Sequence, residues 1–247
     1  MTSFFTFAWM ASDSLVIIPT YNEKENVEKM VRAIFSQPFS FDVLIVDDGS
    51  PDGTAQIVKN LIAEFPDRLF ISERKGKLGL GTAYIHGFKW ALSKTYEFIF
   101  EMDCDFSHKP ADLIRLRDAC EKGADLSIGS RYCRGGKVSN WPLNRILLSY
   151  FASLYVRIVL WINIKDTTAG FKCYRRKVLE SINLDAIRFV GYAFQIEMKY
   201  KASRLGFRLV EVPITFTDRQ FGVSKMSTRI FNEAFIGVLK MRFLKIQ

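Results

Sequence analysis

The chain has 247 residues, 49% of them hydrophobic, and a formal net charge of +9. That length fits one large domain, and that apolar share allows a sizeable core. Cys104, Cys120, Cys133 and Cys173 form no Cys-x-x-Cys pair and the two histidines are not spaced as ligand pairs, which excludes a zinc site and leaves free thiols in a reducing cytosol. The charge is divided unevenly. Residues 1–130 carry 14 lysines and arginines against 19 acidic residues, a net of −5, whereas residues 131–247 carry 21 against 7, a net of +14. An acidic first half and a basic second half suggest two tasks, the second directed at phosphates, nucleic acid or an anionic membrane. Phenylalanine is unusually common, at 22, and some of those rings suit a surface that meets lipid.

Residues 4–10 are apolar but short and lack a basic flank, so they make a poor signal peptide. Leu15-Val16-Ile17-Ile18-Pro19-Thr20 predicts a buried strand. A helix then opens with Asn22 as N-cap and Glu25 at the third helical position, its apolar face formed by Val27, Met30, Val31 and Ile34. The strand over 42–46 ends in the acidic, glycine-rich loop Asp47-Asp48-Gly49-Ser50-Pro51-Asp52-Gly53-Thr54. A helix to about residue 64 and a strand over 69–72 follow. Arg74-Lys75-Gly76-Lys77-Leu78-Gly79-Leu80-Gly81 is a basic glycine-rich loop that matches neither a Walker loop nor a dinucleotide fingerprint. After a helix over 82–93, the apolar run from Phe98 stops abruptly at Asp103-Cys104-Asp105.

Residues i and i+2 of an extended chain point the same way, so Asp103 and Asp105 can face one point just past a strand's end. Hard oxygen ligands so placed suit Mg²⁺ or Mn²⁺ beside a diphosphate; a solvated turn is the alternative. A helix over 111–121 and a strand over 125–129 continue the alternation, which predicts an α/β fold with a parallel sheet. Ligands gather at the carboxyl ends of such strands, and the loops 19–23, 47–52 and 103–107 all follow strands, which favours one shared site.

The character changes after Arg131. Residues 141–164 are apolar but interrupted by Arg145 and Arg157, too short an uncharged run to span a bilayer and suited to a helix or two in the membrane interface, with a core helix as the alternative. Helices from about 175 and over 191–205, a strand over 208–217 and a helical pattern over 226–243 complete the chain.

In this order, Pro19-Thr20-Tyr21-Asn22-Glu23, the loop 47–54, Met102-Asp103-Cys104-Asp105, Gly129-Ser130-Arg131-Tyr132 and Gly222-Val223-Ser224-Lys225-Met226 resemble the motifs of the GT-A, family 2 glycosyltransferases, and within them the dolichyl- or polyprenyl-phosphate mannose synthases. The resemblance implies one GT-A, Rossmann-like domain over 13–230, with a nucleotide-sugar and metal half to residue 130, an acceptor and membrane-facing half beyond it, amphipathic interface helices and a C-terminal helix over 231–247. It implies that Pro19, Tyr21, Glu23, Val46 and Asp48 line the nucleoside pocket, Asp48 accepting from a base edge, with the Cys104 backbone near the nucleotide and Asp47 in support. Asp103 and Asp105 hold Mg²⁺ or Mn²⁺, Ser107 falling where some relatives have a third ligand, and Arg131, Arg219 and Lys225 bind the donor diphosphate or the acceptor phosphate.

The reaction so implied moves mannose from GDP-mannose to dolichyl or polyprenyl phosphate with inversion, by a peripheral protein on the cytoplasmic face of a membrane; a small membrane subunit is left open as a partner. The alternatives are the same fold using UDP-glucose or a UDP-N-acetylhexosamine, a non-catalytic membrane scaffold, and a nucleic-acid-binding module. The last expects basic residues interleaved with exposed aromatics along a groove, whereas here the positive charge adjoins apolar helical stretches.

Overall fold

The computed structural model describes residues 12–218 and 228–243. The apolar start and the segment holding Arg219 and Lys225 lie outside the described residues.

Strands and helices alternate through the first half. They are β1 (Ser14–Thr20), α1 (Val27–Phe35), β2 (Asp42–Asp47), α2 (Thr54–Ile62), β3 (Leu69–Glu73), α3 (Leu80–Leu92), β4 (Phe98–Glu101), α4 (Asp112–Glu121) and β5 (Leu126–Ser130). The second half adds β6 (Lys137–Ser139), α5 (Leu143–Leu160), β7 (Lys172–Arg175), α6 (Arg176–Ser181), α7 (Tyr192–Arg204), β8 (Leu209–Pro213), β9 (Thr215–Thr217) and α8 (Thr228–Phe243). Seven strands form one sheet in the order β3-β2-β1-β4-β7-β5-β8, all parallel to their neighbours except β7, which runs antiparallel to both β4 and β5.

Period-two alternation splits β1 between two cores. Val16 and Ile18 pack with α1, α2 and α4 on one face, and Leu15 and Ile17 pack with α3, α6 and α7 on the other. Both faces are covered, which is why the strand reads as continuously apolar. All four side chains are fully buried, so truncating one to alanine costs roughly 2–5 kcal/mol. A third cluster joins Val156 and Leu160 of α5 to Ile196 and Tyr200 of α7 and to Val238 and Met241 of α8.

Two expectations shift. The first helix starts at Val27, not after Asn22, which sits in the left-handed region at φ 57°. The backbone N–H groups of Asn22, Glu23 and Lys24 donate instead to Ser50, Thr54 and Asp52, so a neighbouring loop takes the donors a helix cap would have served. The expected strand over 208–217 breaks after Pro213, which has no N–H to extend a ladder, and β9 leaves to pair with β6 in a separate two-stranded sheet. Residues 143–160 form one helix whose solvent face is apolar rather than polar. Leu143, Leu147, Leu148, Phe151 and Ile158 are all exposed, as are Phe235, Ile236, Leu239 and Phe243 on the adjoining α8. By length and composition α5 could cross a membrane, and only 17% of it is buried.

Candidate active site

The loops at the carboxyl ends of β1 and β2 meet, and the loop after β4 leaves the same edge of the sheet on the other side of β1. Asp47 ties two of them together: its carboxylate accepts from Thr20 Oγ1 at 2.8 Å, Ser50 Oγ at 2.6 Å and Ser50 N at 2.9 Å. Gly49, at φ +69°, lets this loop approach the basic glycine-rich loop, since a Cβ there would lie 3.0 Å from Gly76 N.

Asp48 is not open to solvent as a base-reading carboxylate. Its Oδ1 accepts from Arg74 Nε at 2.7 Å and its Oδ2 from Leu78 N at 3.2 Å, with both charged side chains almost wholly buried. Any base edge that reaches Asp48 shares it with Arg74. Tyr21 lies half-buried under Lys77, whose Nζ sits 5.0 Å from the ring centroid. Pro19 pairs across the sheet with Val46. The Val46 side chain is fully buried, in the same core cluster as Ala83 and Tyr84. Glu23 Oε2 accepts from Asn26 Nδ2 at 2.8 Å. The Cys104 thiol belongs to the other core.

Past β4 the chain turns sharply through Phe106, at φ 60°. Asp105 Oδ1 accepts from Ser107 N at 3.1 Å, and Asp103 Oδ1 accepts from Tyr84 Oη at 3.5 Å. Asp105 is buried, whereas the Asp103 side chain is 38% exposed. The Ser107 hydroxyl is buried without a hydrogen-bond partner. Two carboxylates and an orphaned hydroxyl form a hard, all-oxygen donor set that fits Mg²⁺ or Mn²⁺. No group of three His, Cys, Asp or Glu that could hold a metal ion is gathered among the described residues, so a cation bound there would need water or ligand oxygens as well.

Asp103, Asp105, Ser107 and Arg131 open onto one cavity of about 1010 Å³. Its far wall is apolar and helical, formed by Leu148, Phe151 and Tyr155 of α5 and by Phe235 and Val238 of α8. Pro19, Tyr21, Glu23, Val46, Asp48 and Cys104 do not line it. The cavity therefore joins the acidic pair to the exposed apolar face.

Between these ends stand two arginines. Arg131 is clamped by Asp166, with Nε to Oδ2 at 2.7 Å and Nη2 to Oδ1 at 2.6 Å, and Nη2 also donates to Thr168 Oγ1 at 2.8 Å. Asp166 is fully buried. Burial alone would raise its carboxyl, but the Arg131 guanidinium more than offsets this and holds it below the usual range. Arg145 stacks on Trp141 at 3.9 Å and pairs with Asp218 at 3.1 Å.

Sequence reasoning passed over several of these groups. Arg145 counted only as an interruption in an apolar run. His108 had no spacing signal, yet it lines the cavity, stacked on Phe171 at 4.8 Å. Burial pushes its imidazole down to about 4 against the opposing field of Asp105, with Arg131 adding to the fall; it is neutral near pH 7, and its Nδ1 faces the Asp103 N–H at 3.5 Å. Behind Asp103, β7 brings Lys172 to Glu101 at 3.0 Å, both fully buried, with Gln195 Nε2 donating to Glu101 at 2.7 Å. Only this strand's place between β4 and β5 makes such a pair legible.

The mostly parallel seven-strand sheet flanked by helices, with the acidic pair just past β4, is the arrangement of the GT-A type. The profile of Glycosyl transferase family 2 matches residues 15–182, and the chain belongs to that family. It is 50% identical over 225 residues to a polyprenol monophosphomannose synthase of Mycolicibacterium smegmatis, covering 91% of this chain and 85% of that one. It is 47% identical to an undecaprenyl-phosphate mannosyltransferase of Micrococcus luteus, covering 92% of each. Among solved structures, glucosyl-3-phosphoglycerate synthase from Mycobacterium tuberculosis with Mn²⁺ and UDP shares the fold at TM-score 0.67 and 16% identity, over 94% of this chain and 80% of that one. A mannosyltransferase from Pyrobaculum calidifontis with GDP-mannose and Mn²⁺ does so at TM-score 0.57 and 16% identity, over 94% and 70%.

Proposed function

We propose that this glycosyltransferase moves mannose from GDP-mannose to the phosphate of a polyprenyl or dolichyl phosphate, with inversion, at the cytoplasmic face of a membrane. The observation that carries this reading is the continuity of the cavity, from Asp103 and Asp105, past Arg131 and Arg145, to the apolar faces of α5 and α8. A soluble acceptor would not need that apolar wall, and a lipid phosphate needs cations at the point where its chain leaves the membrane. The names of the two bacterial relatives support the same acceptor class.

In this reading Asp103 and Asp105, with Ser107, would hold a divalent cation, which would supply Lewis-acid stabilisation of the departing diphosphate. Pro19, Tyr21, Glu23, Val46 and Asp48 surround the nucleoside, Asp48 already oriented by Arg74, while the Cys104 backbone lies near the nucleotide. Arg131 presents a fixed guanidinium to a phosphate, and Arg145 a second; Arg219 and Lys225 complete the cationic set. A lipid phosphate is already largely anionic near neutral pH, so no side chain has to remove a proton from it. The chain's task is to bring two anions together, and bidentate arginine contacts orient one without protonating it.

Purified protein incubated with Mn²⁺, labelled GDP-mannose and undecaprenyl phosphate should place label in the organic phase. Label transferred from UDP-glucose or UDP-N-acetylglucosamine instead would replace the donor and keep the fold. The association of the apolar face with lipid is proposed on the same grounds.

A further inference from the structure

Lys199 sits in the middle of α7 with its side chain fully buried. Its ammonium donates to three backbone carbonyls, Thr167 O at 2.8 Å, Ala169 O at 2.7 Å and Gln195 O at 3.2 Å. Burying a cation is costly, and an ammonium saturated by carbonyl dipoles rather than by a carboxylate recovers only part of that cost. Burial, with Lys172 adding to it, lowers this amine well below the usual lysine value. Stability alone gives no reason to keep a lysine here.

The position of the three acceptors supplies one. Thr167 and Ala169 belong to the loop that follows α5, and Thr168, Ala169 and Gly170 of that loop line the cavity. Asp166 clamps Arg131, and Thr168 Oγ1 takes a second bond from the same guanidinium. Gly170 comes so close to the acidic pair that a Cβ there would lie 3.9 Å from Asp103 Oδ2 and 3.5 Å from Gln195 Nε2. From the strand side, Glu211 of β8 accepts from Lys165 N, Asp166 N and Ser130 Oγ, each at 2.7–2.9 Å. The loop is thus pinned at its start by Glu211 and along its inner edge by Lys199.

We infer that Lys199 is a positioning residue for the transfer reaction: its ammonium fixes the inner edge of the loop 166–170, and through Asp166 and Thr168 it sets the Arg131 guanidinium against the acidic pair. It touches no substrate. The inference rests on the proposed reaction for its kinetics, but not for its structural consequence.

The test compares Lys199→Met, which keeps the length and removes all three donors, with Lys199→Gln, which keeps two. Hydrogen exchange needs no substrate. Amides of 166–170 should exchange at least about 10-fold faster in Lys199→Met, with β4 and β5 unchanged and Lys199→Gln in between. Unchanged exchange in that loop overturns the inference whatever the enzyme transfers. In the mannosyl transfer assay, kcat should fall roughly 10- to 100-fold while KM for the sugar nucleotide stays within about twofold. The loss should also be non-additive, the Lys199→Met, Arg131→Lys double variant lying within about threefold of Arg131→Lys alone. Leu116→Ala, a cavity in the opposite core, should lower stability and leave kcat intact. Multiplicative losses, or an equal kcat loss in Leu116→Ala, would show that Lys199 acts through stability alone. Wild-type protein that transfers no sugar to polyprenyl phosphate would defeat the proposed reaction and leave hydrogen exchange to decide the role of Lys199.

Discussion

Arg131 and Asp166 form a bidentate pair whose two bonds measure 2.7 and 2.6 Å, with the carboxylate fully buried and the guanidinium facing the cavity. A buried pair of this kind adds little net stability, but removing one partner strands the other charge, at a cost of roughly 3–5 kcal/mol. Asp166→Ala should therefore unfold at a clearly lower temperature than wild type. Asp166→Asn, which keeps the shape and one acceptor, should lose less stability yet still lose at least about 10-fold in kcat, because a fixed guanidinium becomes a mobile one. Thermal denaturation beside steady-state kinetics separates the two effects. An Asp166→Asn enzyme with wild-type kcat would remove Arg131 from the reacting centre.

The acidic pair makes a different prediction because its two members differ in exposure. Asp105 is buried and spends Oδ1 on the Ser107 N–H, whereas Asp103 is partly open. Asp105→Ala should abolish detectable transfer and weaken Mn²⁺ binding by at least about 10-fold, measured by titration in the presence of GDP. Ser107→Ala should cost no more than about threefold in Mn²⁺ affinity, since water can replace a neutral hydroxyl in the shell. Transfer by Asp105→Ala at the wild-type rate would refute the metal assignment.

The first half of this structure was legible because it obeys local rules. The run from Leu15 to Thr20 is apolar on both faces of a covered strand, and the acidic residues that end β2 and β4 coincide with strand ends. The second half was less so. β7 is four residues long and begins with a lysine that is buried only because Glu101 and Gln195 receive it. The start of α1 was misread because its would-be cap donors are satisfied by Ser50, Thr54 and Asp52, more than 25 positions away. Lys199, Asp166 and Arg145 carry no spacing signal, since the partners that hold them to the site, Thr167 and Ala169, Arg131 and Asp218 respectively, lie far away in sequence.

The apolar faces of α5 and α8 predict lipid binding that can be separated from chemistry. Ile158, Trp161 and Phe243 are 63%, 79% and 86% exposed and lie off the cavity wall. Ile158→Glu with Phe243→Glu should reduce sedimentation with vesicles of anionic phospholipid by at least about 10-fold, since each change both removes apolar area and adds a repelled charge. Transfer to a short-chain, water-soluble polyprenyl phosphate should stay within about twofold of wild type. Equal vesicle binding by the double variant would mean that another face meets the membrane.

A last prediction concerns stability and pH. Asp42 lies at the start of β2, buried, where it accepts from Tyr96 Oη at 2.8 Å. Burial raises its carboxyl to about 6, with the Tyr96 hydroxyl and the Arg68 charge opposing the rise. The folded state therefore holds this proton more tightly than the unfolded chain, whose value is near 3.8. The stability it contributes is complete below the unfolded value and is lost as pH rises through about 6. That gap corresponds to a loss of ~3 kcal/mol across the window. Asp42→Asn keeps an acceptor for Tyr96 but cannot ionise. Denaturant unfolding of both proteins from pH 3.5 to 7.5 should show wild type losing stability relative to the variant between about pH 4 and 6 and running parallel to it above that. Parallel curves across the whole range would mean that Asp42 stays ionised in the fold, held by Arg68 more firmly than burial resists it.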